Sequence, residues 1–233
     1  MHENFPKSYN THAKNLVITK IGQDMRGIVK YCFNKQGFRS DIDFDQEEKK
    51  SVAFFGNLYT SAIGIEWRDG FAQKTCDLLG LKCYNFSQGC AALDNKEIVE
   101  TVKYVLGMKT YKPLLYVVQF CQLERRFNTK NQNLTLEIDK EKNIHEFIEL
   151  FDTLEQYMTG ERWLFFGIDD TLRHNLPDRI VNHERCLCWN PVIIDKILQG
   201  IAGEKWHKMM AYGFTKKIQI EMPLAKEDKY DRK

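Results

Sequence analysis

The 233-residue sequence predicts a three-layer α/β/α sandwich around a mostly parallel sheet of about five strands, and three observations carry that prediction. Short apolar runs alternate with amphipathic stretches from residue 51 onward. The segment 114–120 (LLYVVQF) is a continuous apolar run just after Pro113, the pattern of a strand covered on both faces. Small-residue turns close the first two runs, at Gly56-Asn57 and at Ser87-Gln88-Gly89-Cys90. In chain order, residues 51–55 read as a strand. Residues 71–81 read as a helix with an apolar face of Phe71, Cys76, Leu78, Leu79 and Leu81. Residues 82–86 form the second strand, 95–106 a helix, 114–120 the third strand, 144–158 an amphipathic helix and 163–168 a fourth core strand. A last helix runs through Met209, Met210 and Phe214. Strands alternating with helices imply parallel pairing through right-handed crossovers. The ligand side then lies beyond the carboxyl ends of the strands, at residues 56–60 and 87–92.

Composition bounds the rest. A hydrophobic share of 43% and a charged share of 28% are ordinary for a soluble globular chain and exclude disorder over most of its length. The formal charge of +2, with both signs interleaved, supplies no concentrated basic face for nucleic acid. No apolar run approaches the roughly 20 residues that cross a bilayer, and residues 1–10 are too polar for a signal peptide, so no membrane partner is expected. The seven cysteines are scattered, and Cys32, Cys83, Cys90 and Cys121 sit in or beside apolar segments. That usage predicts buried reduced thiols and a cytoplasmic location. Three parts are expected: an N-terminal arm and turn packed on the body (1–45), the α/β domain (46–215) and a charged tail (216–233).

Several blocks, taken in their order and spacing, carry a family resemblance. Asn34-Lys35-Gln36-Gly37-Phe38-Arg39 precedes the first core strand, and Gly56-Asn57-Leu58-Tyr59-Thr60, Gly64 and Trp67-Arg68-Asp69 follow it. Asn85 and Gly89 mark the end of the second strand, Glu124-Arg125 follows the third, and Ala202-Gly203 with His207 opens the last helix. Over residues 33–214 this resembles the SGNH, or GDSL-type, ester hydrolases, especially the branch carried by phages and marine bacteria. The resemblance implies an SGNH-hydrolase-like, flavodoxin-like fold, and a host-cytosol or virion location if the chain is virus-encoded. It also implies a serine nucleophile in the turn after the first strand. Leu58 holds that position, and a leucine has no atom able to attack a carbonyl. The family's catalytic aspartate and histidine fall at Gln199 and Ile201, neither of which can serve as a base or orient one. The asparagine that the family gives to its oxyanion hole falls at Gln122, which keeps an amide donor. What the resemblance implies is thus a cleft of Asn57, Leu58, Gly89, Gln122, Ile201 and His207 without a catalytic triad.

Other groups could rebuild chemistry elsewhere. Ser61, three places after Leu58, and His207, six after Ile201, form a conceivable displaced dyad, although the family's second histidine is usually structural. Cys90 is a thiol beside Gly89 with no recognisable base nearby. Asp169-Asp170 could bind a metal or act as acid and base, yet such pairs commonly cap the next helix or turn. His174, His183, Cys186 and Cys188 include the donor types of a zinc site, but the spacing departs from the usual Cys-x-x-Cys knuckle and no second pair completes it. No metal and no cofactor are expected.

The expected function is a catalytically degenerate SGNH-hydrolase-like binding or virion-associated accessory protein. Its cleft would take a carbohydrate or acyl ligand, or a protein partner, on an apolar floor. The alternative is a serine esterase or acetylhydrolase acting on a glycan or lipid ester through relocated groups. A structural subunit is the third class.

Overall fold

The computed structural model describes residues 17–19, 28–30, 34, 38–40, 43, 50–87, 94–108, 112–128, 133–137, 139–168, 170–189, 191, 196–198 and 201–221. Ahead of the main sheet, β1 (Val17–Thr19) and β2 (Ile28–Lys30) pair antiparallel. The sheet itself is built from β3 (Ser51–Phe55), β4 (Lys82–Asn85), β5 (Leu115–Phe120), β8 (Trp163–Gly167) and β9 (Cys186–Trp189), in spatial order β4-β3-β5-β8-β9 with every pair parallel. That is the doubly wound order in which the first strand lies between the second and third, so the switch point falls between β3 and β5. A hairpin, β6 (Arg125–Asn128) with β7 (Asn133–Leu136), extends from the exit of β5. A shorter one, β10 (Lys196–Leu198) with β11 (Ile201–Ala202), leads into the last helix.

Strand alternation sorts the core into two layers. Val52 and Phe54 of β3, Val117 of β5, and Leu164 and Phe166 of β8 face α1 (Phe71–Leu79) and α6 (Glu204–Glu221). Ala53, Phe55, Tyr116, Val118, Phe120 and Phe165 face α2 (Asn95–Leu106) and α3 (Lys140–Tyr157). The layers are pinned by rings: Phe71 meets Phe166 and Phe214 edge-on at 5.6 and 5.5 Å, and Phe120 meets Phe147 at 4.9 Å. Asp94 caps α2 by accepting the Glu97 N–H at 2.9 Å, and Asp139 caps α3 through the Lys142 N–H at 3.0 Å.

Several elements differ from the sequence expectation. The polar stretch 128–143, for which the sequence predicts no element, holds β7 and the charged first turn of α3. The segment 173–190, for which the sequence predicts no element, contains most of α4 (Asp170–Asn175), all of α5 (Asp178–Val181) and the edge strand β9. The last helix continues six residues past the boundary drawn at 215, because Ile218 follows Phe214 by four places and is buried with it. No helix among the described residues is long and apolar enough to cross a membrane.

Candidate functional site at the strand ends

The turn leaving β3 is held from both neighbouring strands. Gln119 on β5 receives the Thr60 N–H (3.2 Å) and the Thr60 hydroxyl on Oε1, and its Nε2 donates to Asn57 Oδ1 at 2.6 Å. Asn57 Oδ1 also accepts the Tyr59 N–H at 3.2 Å, so this side chain closes the turn as an Asx motif. Its Nδ2 is enclosed and has no acceptor among the described residues, so the group serves through its oxygen. From β4, Asn85 Nδ2 donates to the Thr60 carbonyl at 2.9 Å, while its Oδ1 accepts the N–H (2.9 Å) and hydroxyl of Ser87. Gly56 is obligatory because a Cβ there would lie 2.5 Å from Thr60 Oγ1 and 2.7 Å from Gln119 Oε1.

A buried cation fixes the far side of the same loop. Arg39, 0% exposed, donates from Nη1 to the carbonyls of Ser61 (2.9 Å) and Ala62, and from Nη2 to that of Ile65. Ala62 sits at φ 56°, the left-handed region that an alanine rarely adopts, with its carbonyl in this fork. Phe38 packs edge-on to Phe86 at 5.9 Å, which seats Arg39 against the body.

Within that frame Leu58 is half-buried, and its carbonyl accepts the Ser61 hydroxyl at 3.0 Å and the Ile63 N–H at 3.1 Å. Tyr59 stacks obliquely on Trp206 at 5.7 Å. The turn therefore abuts the first coil of α6, immediately after the Ile201-Ala202-Gly203 stretch. His207, one place after Trp206, is 1% exposed and accepts the Phe71 N–H on Nδ1 at 3.1 Å, with its ring stacked on Phe71 at 5.7 Å. Burial, with the positive charges of Arg39 and Lys74 adding to it, pushes its pKa down to about 3. The ring is neutral, with Nδ1 occupied and the proton on Nε2.

The expected site residues are therefore only partly gathered. Asn57 and Leu58 form the turn, and His207 is buried in the first turn of α6, the helix that packs on it. Gln122 is exposed beyond β5, and the buried carboxamide beside the turn belongs to Gln119. Gly89, Cys90, Gln199 and Asp169 lie outside the described residues, and Ile201 is placed on β11. The displaced dyad is not assembled, since Ser61 and His207 are committed to Leu58 and Phe71. His183, Cys186 and Cys188 line one pocket, but the donors are not free for a metal: His183 Nε2 pairs with Glu155 at 3.0 Å and its Nδ1 accepts the Arg185 N–H, while burial pushes the Cys188 thiol up to about 12. Among the described residues no group of three His, Cys, Asp or Glu side chains is placed to hold a metal ion. Among the described residues Cys76 and Cys188 are free thiols. Sequence reading missed Arg39 as a clamp and Gln119 as a site residue; the one signal for Gln119 is a lone amide inside an apolar strand.

No protein-family model matches the chain, and no curated protein matches it. Solved structures do. An acetyl xylan esterase from the rumen bacterium Butyrivibrio proteoclasticus superposes with a TM-score of 0.52 at 11% identity, over 76% of this chain and 65% of its own. A carbohydrate esterase family 2 enzyme with a carbohydrate-binding domain, from Corynascus thermopiles (Myceliophthora fergusii), gives 0.55 at 8% identity over 78% and 69%. A family two carbohydrate esterase from Clostridium thermocellum, solved with cellohexaose, gives 0.52 at 12% identity over 76% and 66%. The chain spans about two thirds of the length of these neighbours. The likeness is one of fold, and the fold is SGNH-hydrolase-like.

Proposed function

We propose that this is a non-catalytic protein on an ester-hydrolase scaffold, which uses the apolar surface at Leu58 to hold an acylated carbohydrate without cleaving it. The observation that carries the reading is the Tyr59–Trp206 contact, which brings the turn holding Leu58 against the start of α6 while the Ser61 hydroxyl and the His207 imidazole are engaged with Leu58 and Phe71. General-base catalysis needs an imidazole nitrogen within reach of the attacking group and a pKa near the working pH, and His207 offers neither. A half-buried leucine whose chain neighbour Tyr59 packs on Trp206 suits an acyl group or a sugar face. The carbohydrate part of the proposal draws on fold neighbours that are carbohydrate esterases, one of them bound to cellohexaose.

Titration with acetylated xylo-oligosaccharide, followed by tryptophan fluorescence and by acetate release, tests this reading. Saturable quenching without acetate is the expected result, with Leu58→Asp weakening binding at least tenfold. Stoichiometric or catalytic release of acetate would instead establish an esterase with relocated groups.

A further inference from the structure

All four large apolar side chains that stand exposed among the described residues lie on one layer of the sandwich. Leu78 of α1 is 45% exposed, and Met209, Tyr212 and Ile220 of α6 are 41, 55 and 70% exposed. On α6 they follow one side of the helix over about 16 Å of its length. Lys205, Lys208 and Lys216 are exposed on the same helix, against Glu204. This face is apolar and positive.

The opposite layer is its complement. An open groove of about 570 Å³ runs between α2 and α3, floored by Leu123, Phe147 and Leu150, and its walls carry four carboxylates against two lysines. Glu149 lines the groove, two thirds exposed and paired with His145 at 3.2 Å. Acidic crowding at the groove's end extends to Glu97, whose carboxyl is pushed up by burial and then by the charge of Asp94.

We propose that the α1/α6 face of one copy docks on the α2/α3 groove of a second copy, a head-to-tail contact that repeats into a ring or an open chain. Two α6 faces brought together would set lysine against lysine, whereas α6 on the groove sets lysine against carboxylate and places Tyr212 and Met209 over an apolar floor. The two patches lie on opposite layers of each molecule, so the contact cannot close as a symmetric pair.

Light scattering on the full chain tests this with two variants altered at exposed positions, Tyr212→Glu on α6 and Glu149→Lys on α3. The wild-type mass should climb above the monomer's 27.5 kDa with concentration at low salt and fall back as salt approaches about 0.5 M. Each variant alone should stay monomeric with an unchanged circular dichroism spectrum. Mixed one to one, they should form a species of twice the monomer mass and nothing larger, because only one complementary contact remains. A wild-type monomer at every concentration overturns the proposal. So does self-association that survives in either variant, or a mixture that stays monomeric.

Discussion

His207 of α6 receives the backbone N–H of Phe71 on its Nδ1 at 3.1 Å and lies flat against the Phe71 ring, so the first residue of α1 is capped by a side chain 136 places away. The bond satisfies one of the orphan donors at a helix start where Gly70 supplies no side-chain cap.

Acidification should expose this bond as pH-dependent stability. The folded pKa of about 3 lies below the ordinary histidine value of 6.5. The unfolded chain then binds the proton first, and stability is full above roughly pH 6.5 and declines as pH falls toward 3, by about 1.4 kcal/mol per unit at most. Urea midpoints measured from pH 7 to pH 4 should fall for the wild type. The part of the slope due to His207 should vanish in His207→Gln, which cannot take up that proton.

Removing the Gln119 carboxamide strands two donors at once. Gln119→Leu should lower stability by about 2–4 kcal/mol, since the Thr60 N–H and hydroxyl lose their acceptor in a buried turn and Asn57 Oδ1 keeps only the Tyr59 N–H. A double-mutant cycle with Thr60→Val should return a coupling of about 1–2 kcal/mol. Strict additivity would mean that the two side chains do not act together.

Gly56→Ala places a methyl group 2.5 Å from Thr60 Oγ1 and 2.8 Å from Gln119 Cβ. Overpacking of this kind costs about 1–3 kcal/mol, readable as a lowered urea midpoint at constant slope. The same substitution at Gly213, where a Cβ meets nothing within 4 Å, should be neutral or stabilising because alanine favours helix.

Arg39→Lys should fail to rescue the loop despite keeping the charge. Two guanidinium nitrogens serve three carbonyls in a plane, and a lysine ammonium can neither fork nor reach all of them. A loss of about 3 kcal/mol or more is expected by thermal or chemical unfolding, with Ala62→Gly recovering part of it by relieving the left-handed backbone.

The sheet was legible because its signals are local. The helix 95–106 coincides with α2, and the run 114–120 differs from β5 by one residue. Elements were misread where pattern and role diverge. The first turn of α3 is charged and capped by Asp139, so apolar spacing begins only at Ile144, four residues after the helix starts. Cys186-Leu187-Cys188-Trp189 is a short edge strand whose cysteines suggested a metal. At the site, a count from the end of β5 favoured Gln122, whereas the turn is gripped by a residue still inside the strand. Arg39 could not be paired from sequence, because its three acceptors are main-chain carbonyls 22–26 residues away.

Intact-mass spectrometry after incubation with a fluorophosphonate probe asks most directly whether any serine at this scaffold's strand ends is an activated nucleophile. The Ser61 hydroxyl is buried and bonded to the Leu58 carbonyl, and His207 has its Nδ1 engaged, so no adduct should form at neutral pH, in the wild type or in Leu58→Ser alone. A single adduct in the wild type, mapped to Ser61 and lost in Ser61→Ala, would contradict the proposal that this scaffold has no working nucleophile.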